Sequence, residues 1–268
     1  MPLPTLVLLP GLACDERLWE AQRPALPAGL DIRVSDAHMR HDRIETMAAA
    51  VLDENPGPLI LCGASMGGMI AMEAARQAPP RTHGLALLGT NPRPETPDMV
   101  ELRQSAIELF ERGEARDVIE LNAGFAFHRS SSGNAALLRR YVDMVLDAGA
   151  AQLVSQNRAL MRRPDARPHL ARLRCPVLVM CGDDDRLTPP ECSREIAALI
   201  PHAELSWIAQ CGHMLTMERP GAVNPGLKAW LQALLSAQPA AGPLPRRAAA
   251  PSGGSDPHAV GERGGDIQ

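Results

Sequence analysis

Residues 59–68 read Leu59-Ile60-Leu61-Cys62-Gly63-Ala64-Ser65-Met66-Gly67-Gly68, an apolar run that breaks into a glycine-flanked serine ahead of a helical pattern. A serine on a tight strand-to-helix turn has a strained backbone, and side chains two residues to either side would collide with the turn. Glycine at 63 and 67 removes both collisions and lifts the hydroxyl clear of a sheet, with a helix N-terminus behind it. That hydroxyl is a weak nucleophile unless a base takes its proton and an acid orients the base. Candidates for both lie downstream. Asp183, Asp184 and Asp185 follow the apolar run Val177–Gly182, and His213 follows Trp207-Ile208 by a short turn. The chain order is serine, acid, histidine, and each group stands just past the end of a predicted strand. Open α/β sheets build their sites there.

These residues need a scaffold that presents strand ends side by side. Short Val/Ile/Leu-rich runs at Thr5–Leu9, Asp31–Val34, Leu59–Cys62, Leu85–Leu88, Val177–Cys181 and Glu204–Ile208 read as strands covered on both faces. Helical patterns lie between them at Glu16–Leu26, Ile44–Glu54, Met66–Gln77, Glu191–Leu199 and Ala222–Leu235. This alternation predicts an α/β fold with a mainly parallel sheet. One stretch departs from it. From residue 91 to 174 only helical periodicity is present, with stripes such as Met99, Leu102, Ala106, Phe110 and Leu137, Tyr141, Val145. It predicts a helical cap inserted between two strands, leaving 1–90 and 175–237 as the α/β core. Residues 238–268 are rich in Pro and Gly without apolar periodicity, which predicts a disordered tail.

Composition narrows the function classes. With 45% apolar and 22% charged residues among 268, the chain has material for a packed core and is not disordered as a whole. A net charge of −4 argues against a nucleic-acid binder, which needs a basic surplus. No apolar run is long enough to span a membrane. The N-terminal run lacks a basic n-region and a cleavage pattern. The six cysteines show no metal-type pairing, so the expected location is the cytoplasm, with buried thiols.

Four segments together carry a family resemblance: Leu9-Pro10-Gly11-Leu12, Gly63–Gly68, Gly182–Asp185 with Thr188-Pro189, and Gly212-His213 with Glu218-Arg219-Pro220. The chain resembles the α/β-hydrolase superfamily, in the branch of small carboxylesterases and cofactor-free haloperoxidases. The resemblance spans about residues 4–236. It implies an α/β-hydrolase fold with Ser65 as nucleophile, His213 as base and Asp185 as the acid, by the family's Gly-x-x-Asp spacing; Asp183 and Asp184 are the rivals. It also implies an oxyanion hole made by the backbone N–H groups of Leu12 and Met66. The chemistry implied is hydrolysis of a small to medium carboxylic ester through an acyl-enzyme, with no metal or organic cofactor. Thioester or carrier-linked acyl groups, lactones, carbon–carbon substrates, perhydrolysis and a triad-bearing receptor share the same machinery. Two departures stand out. Pro10-Gly11 replaces the family's His-Gly, and β-structure starting near residue 5 leaves no room for the usual leading antiparallel strands.

Weaker signals remain. Asp36, His38, His41 and Asp42 look like a metal cluster but read better as a solvated loop. Met66, Met69, Met214, Met217, Phe125, Phe127 and Met144 would suit either an acyl pocket or the core. Arg158, Arg162, Arg163, Arg167, Arg172 and Arg174 make the cap exit basic, as a solvated face or as a dock for an acidic carrier protein. The expected assembly is a monomer or homodimer.

Overall fold

The strands are β1 (Thr5–Leu9), β2 (Ile32–Val34), β3 (Leu59–Ala64), β4 (Thr82–Leu88), β5 (Val177–Gly182) and β6 (Glu204–Ile208). They form one sheet in the order β2-β1-β3-β4-β5-β6, and every neighbouring pair is parallel. This computed structural model describes residues 3–237, which belong to one compact unit. The segment read as a disordered tail lies outside them.

Side chains alternate across the pleat, and each face has its own core. Val7, Leu9, Leu61, Leu87 and Val179 pack under α2 (Ile44–Glu54) and α3 (Met66–Gln77). Leu6, Leu8, Ile60, Leu88 and Met180 pack against Trp19 and α11 (Pro220–Ala237) on the other face. Both faces of β1, β3, β5 and the Leu85–Leu88 part of β4 are covered, which is why these read as unbroken apolar runs. The edge strands β2 and β6 depart from the expectation of strands covered on both faces: each has only one neighbour in the sheet, Arg33 and Glu204 are exposed, and so is Trp207. The remaining elements of the α/β layers are α1 (Ala37–Arg40), α9 (Pro190–Leu199) and α10 (Leu215–Glu218).

Between β4 and β5 the chain forms α4 (Pro97–Glu111), α5 (Ala115–Asn122), α6 (Ala135–Asp147), α7 (Ala150–Met161) and α8 (Arg167–Leu170). Ile107 and Phe110 of α4, Val145 of α6 and Leu153 of α7 form a third cluster that also encloses Ala13, on the loop after β1. A buried ion pair locks the segment's two ends together. Glu95 takes both Arg103, at 3.0 Å, and Arg163, whose side chain is 4% exposed.

Two expectations need correction. Glu16–Leu26 is not one helix but two 3-10 turns, Glu16–Trp19 and Arg23–Ala25. Pro24 has no N–H to continue a helix begun at 16, and Asp15 caps the first turn by accepting from Arg17 N. The α4 stripe is also misplaced. Leu102 is 61% exposed, while Ile107 and Phe110 are buried, because only the second half of that helix joins the cluster.

Candidate active site

The chain runs from β1 to the β2 edge, then returns to β3 and builds outward to β6, so the topological switch point lies between β1 and β3. Ser65 sits directly after β3, and the Gly11–Cys14 turn directly after β1. Ser65 has φ 53° and ψ −119°, a conformation that costs a non-glycine residue on the order of 1–3 kcal/mol. Its surroundings hold it there. Ser65 N donates to Leu88 O at 2.9 Å, and Ser65 O accepts from Thr90 Oγ1 at 2.7 Å. The flanking glycines are required by contact: a Cβ on Gly63 would stand 2.2 Å from Gly67 O, and one on Gly67 would stand 1.9 Å from Leu9 O. Helix α3 thus starts hard against the end of β1.

The three consecutive acids separate cleanly. Asp183 accepts from Gln210 N (3.0 Å) and Cys211 N (3.1 Å), clamping the β5 turn to the β6 turn. Asp184 is partly exposed and lies 3.6 Å from Arg186. Asp185 is buried and accepts from Leu187 N (3.0 Å), Thr188 N (2.9 Å) and Thr188 Oγ1 (2.9 Å). Its carboxylate oxygens also lie 3.0 and 2.9 Å from His213 Nδ1. Burial pushes the Asp185 carboxyl up, but the charge of His213 and the hydrogen bonds from His213 and Thr188 outweigh it, leaving it below the usual carboxylate value. An ionised carboxylate only accepts, so Nδ1 donates its proton to Asp185 and Nε2 is the ring nitrogen left for another partner.

Gly89, at φ 51°, bridges the two halves of the site. A Cβ there would meet Asp185 Oδ2 at 3.1 Å and His213 O at 3.4 Å, while the next residue, Thr90, holds Ser65. Among the described residues no hydrogen bond joins Ser65 Oγ to His213. Such contacts are often long before substrate binds and tighten in the complex.

On the β1 side, Gly11 packs against Ser65, a Cβ there falling 3.3 Å from Ser65 Cβ. Cys14 N closes the turn onto Gly11 O at 3.1 Å. Ala13 N is taken by Gln156 Oε1 at 2.7 Å, and Leu12 N is taken by none of the turn and loop bonds of the described residues. Met66 opens α3, so its N–H is one of the donors a helix leaves unpaired. Replacing the family's histidine by Pro10 leaves this turn closed.

Glu218, quoted above only as part of a motif, ties the helical segment to the histidine loop. One carboxylate oxygen accepts from His128 N at 3.0 Å and the other from Gly212 N at 2.7 Å. Met214 N donates to Ala126 O at 3.1 Å, and a Cβ on Gly212 would meet Phe127 C at 2.6 Å. Glu218→Gln makes one of these acceptors an NH₂ facing an N–H. The expected loss is about 1–3 kcal/mol, a fall in Tm of roughly 3–10 °C in a thermal scan. An unchanged Tm would contradict this bracing role.

The remaining candidates sort themselves by burial. Met66 and Met69 belong to one core face and Phe127, Met144 and Met214 to the other, while Phe125 is exposed and stacked by Arg186 at 5.7 Å. The 36–42 segment is not the expected solvated loop: Ala37–Arg40 is helix α1, and His38 is buried with Nε2 2.8 Å from Cys14 O; among the described residues no group of His, Cys, Asp and Glu is arranged to hold a metal. The basic run at the cap exit is divided. Arg163 pairs with Glu95, Arg158 with Glu111, and Arg167 with Asp165 and Glu195; Arg162, Arg172 and Arg174 are exposed.

A strained serine after β3, a buried acid–histidine pair after β5 and β6, and an all-parallel sheet with helices inserted after β4 define an α/β-hydrolase. Residues 27–220 match the family model described as serine aminopeptidase, S33, and the chain belongs to that family. Among curated proteins it is similar to a pimeloyl-[acyl-carrier protein] methyl ester esterase of Aromatoleum aromaticum, 31% identical over 82% of this chain and 95% of that protein. Among solved structures it is similar to a thermophilic esterase from Thermogutta terrifontis, with 27% identity, TM-score 0.76, and 87% and 91% of the two chains covered. An enol-lactonase from Burkholderia xenovorans LB400 shares the fold, with TM-score 0.78 at 21% identity over 87% of this chain and 92% of that one. The chain is a hydrolase of this fold. No helix among the described residues is long and apolar enough to cross a membrane.

Proposed function

We propose that the protein hydrolyses carboxylic esters through Ser65, His213 and Asp185. The observation that carries this is the buried Asp185 carboxylate on His213 Nδ1, at the same strand-end edge as the left-handed Ser65 turn. His213 Nε2 takes the Ser65 proton as Oγ attacks the ester carbonyl, and Asp185 steadies the imidazolium. The N–H groups of Leu12 and Met66 receive the oxyanion of the tetrahedral intermediate, a contribution of about 3–4 kcal/mol for one such donor. His213 then protonates the departing alcohol, the acyl group stays on Ser65, and water releases it by the same steps. The chemistry needs no cofactor. The six free cysteines suit a reducing compartment, so the cytoplasm is the proposed location. Hydrolysis of acetyl, butanoyl and octanoyl chromogenic esters tests the reading. Ser65-dependent turnover of one or more supports it, and inertness toward all three and toward a carrier-bound methyl ester in a folded protein refutes it.

The similarity to a carrier-protein methyl ester esterase over 82% of the chain favours one refinement, a substrate whose acyl chain hangs from an acidic carrier protein. The exposed Arg162 beside α7 offers positive charge near the helical segment. Turnover of a carrier-bound methyl ester should then fall at least tenfold between low and physiological salt, while a free small ester changes less than twofold. Equal salt response of the two substrates would remove the carrier from the reading.

A further inference from the structure

The turn that presents Leu12 is held from three sides, and one of the three holds comes from the helical segment. Locally, Cys14 N donates to Gly11 O and Cys14 Sγ to Leu12 O at 3.4 Å, and from the α/β layer His38 Nε2 meets Cys14 O at 2.8 Å. The third is Gln156 of α7, whose Oε1 accepts from Ala13 N at 2.7 Å across 143 residues of sequence. Both partners are sealed: Gln156 is 0% exposed and Ala13 1%. Ala13 has φ 53°, the left-handed region where an alanine does not settle unless something holds it. The Gln156 amide is itself locked. Its Nε2 faces two acceptors, Met39 Sδ and Gln152 Oε1, each at 3.2 Å, so only Oε1 is left to face the Ala13 N–H. Gln152 in turn donates to Met39 O at 2.8 Å, anchoring α7 beside α1.

Resting on the ester-hydrolase reading, we propose that Gln156 is a positioning residue for the oxyanion hole. By fixing the Leu12–Ala13 peptide it sets where the neighbouring Leu12 N–H points, and it makes that donor's alignment depend on the seat of α7. Gln156 touches no reacting atom. Its effect is felt only where negative charge gathers on the carbonyl oxygen, since a misaligned donor loses transition-state stabilisation and leaves ground-state binding alone.

The experiment uses the full chain and two readouts. The first is the rate at which a fluorophosphonate probe labels Ser65. The second is kcat and KM on an oxygen ester and on its thiono counterpart, whose larger, softer sulfur gains little from N–H donors. Gln156→Met, matched in length and free of the amide, should lower kcat on the oxygen ester roughly 10- to 100-fold with KM within about threefold, and should slow labelling in parallel. Thiono-ester turnover should fall less than threefold, so the oxygen-to-thiono ratio collapses. Should Gln156→Met fail to fold, Gln156→Asn, a methylene too short for the contact, must reproduce the collapse. Equal losses on both esters, or an unchanged ratio, would make Gln156 merely structural and overturn the assignment. If the wild type itself takes no label, the serine-hydrolase reading falls and this one with it; a labelled wild type with an unaltered variant overturns this one alone.

Discussion

Ser65→Ala is expected to lower kcat on a short chromogenic ester by about 10⁴-fold or more while leaving the fold in place. The two halves of this expectation come from different parts of the structure. Activity should fall because the substitution removes the proposed nucleophile, on the turn after β3. The fold survives because position 65 is held through its own backbone, its N–H on Leu88 O and its carbonyl under Thr90 Oγ1, with the close-packed glycines on either side. Alanine keeps the strained φ of 53° as serine does, so Tm should stay within about 2 °C. Steady-state kinetics beside a thermal scan tests both. A variant that retains a tenth of wild-type activity would show that another group does the chemistry.

Asp185→Asn carries the second large effect. Asparagine can fill the space, yet its NH₂ competes for the wrong side of His213 and favours the tautomer in which Nε2 bears the proton and cannot accept one from Ser65. The expected fall in kcat is about 10³- to 10⁴-fold. The same substitution has a signature in stability. Asp185 is held below its usual pKa, so it binds its proton less readily in the folded chain than in the unfolded one. Its contribution is therefore fully present above the unfolded value of about 3.9, and is lost as pH falls through the lower folded value. The Tm gap between wild type and Asp185→Asn should be largest near neutral pH and narrow on acidification below about pH 4. Parallel Tm curves across that range would mean that the carboxylate is not stabilised as its contacts indicate.

Much of the scaffold was legible because it obeys short-range rules. Strands buried on both faces must be apolar throughout, so their positions are marked in runs such as Val177–Cys181, and α2 and α3 begin and end where periodicity predicts. The glycines at 63 and 67 announce the Ser65 turn because no side chain fits there. What was illegible depends on aim and on distance along the chain. Asp183, Asp184 and Asp185 are chemically identical neighbours, and only the folding of the turn sends the first to the Gln210 and Cys211 amides and the third to His213. Gln156 is an ordinary polar residue on an amphipathic helix until that helix is laid over Ala13. The 16–26 segment misled because its apolar spacing is helical while Pro24 and Asp15 act locally against a helix.

The helices 97–170 occupy the crossover that any parallel pair requires, here between Leu88 at the end of β4 and Val177 at the start of β5. Chain-closure entropy rises only with the logarithm of loop length, so stretching a crossover of a dozen residues to this size disfavours the sheet by only about 2 kcal/mol. The pairing of Leu85 with Val177 is indifferent to what lies between. Exchanging this insert for one of another length would therefore cost the strand pairing little. The exchange is constrained wherever insert and floor pack or bond, as at Leu160 and Phe127 in the cores of the two sheet faces, Gln156 on Ala13 and His128 on Glu218.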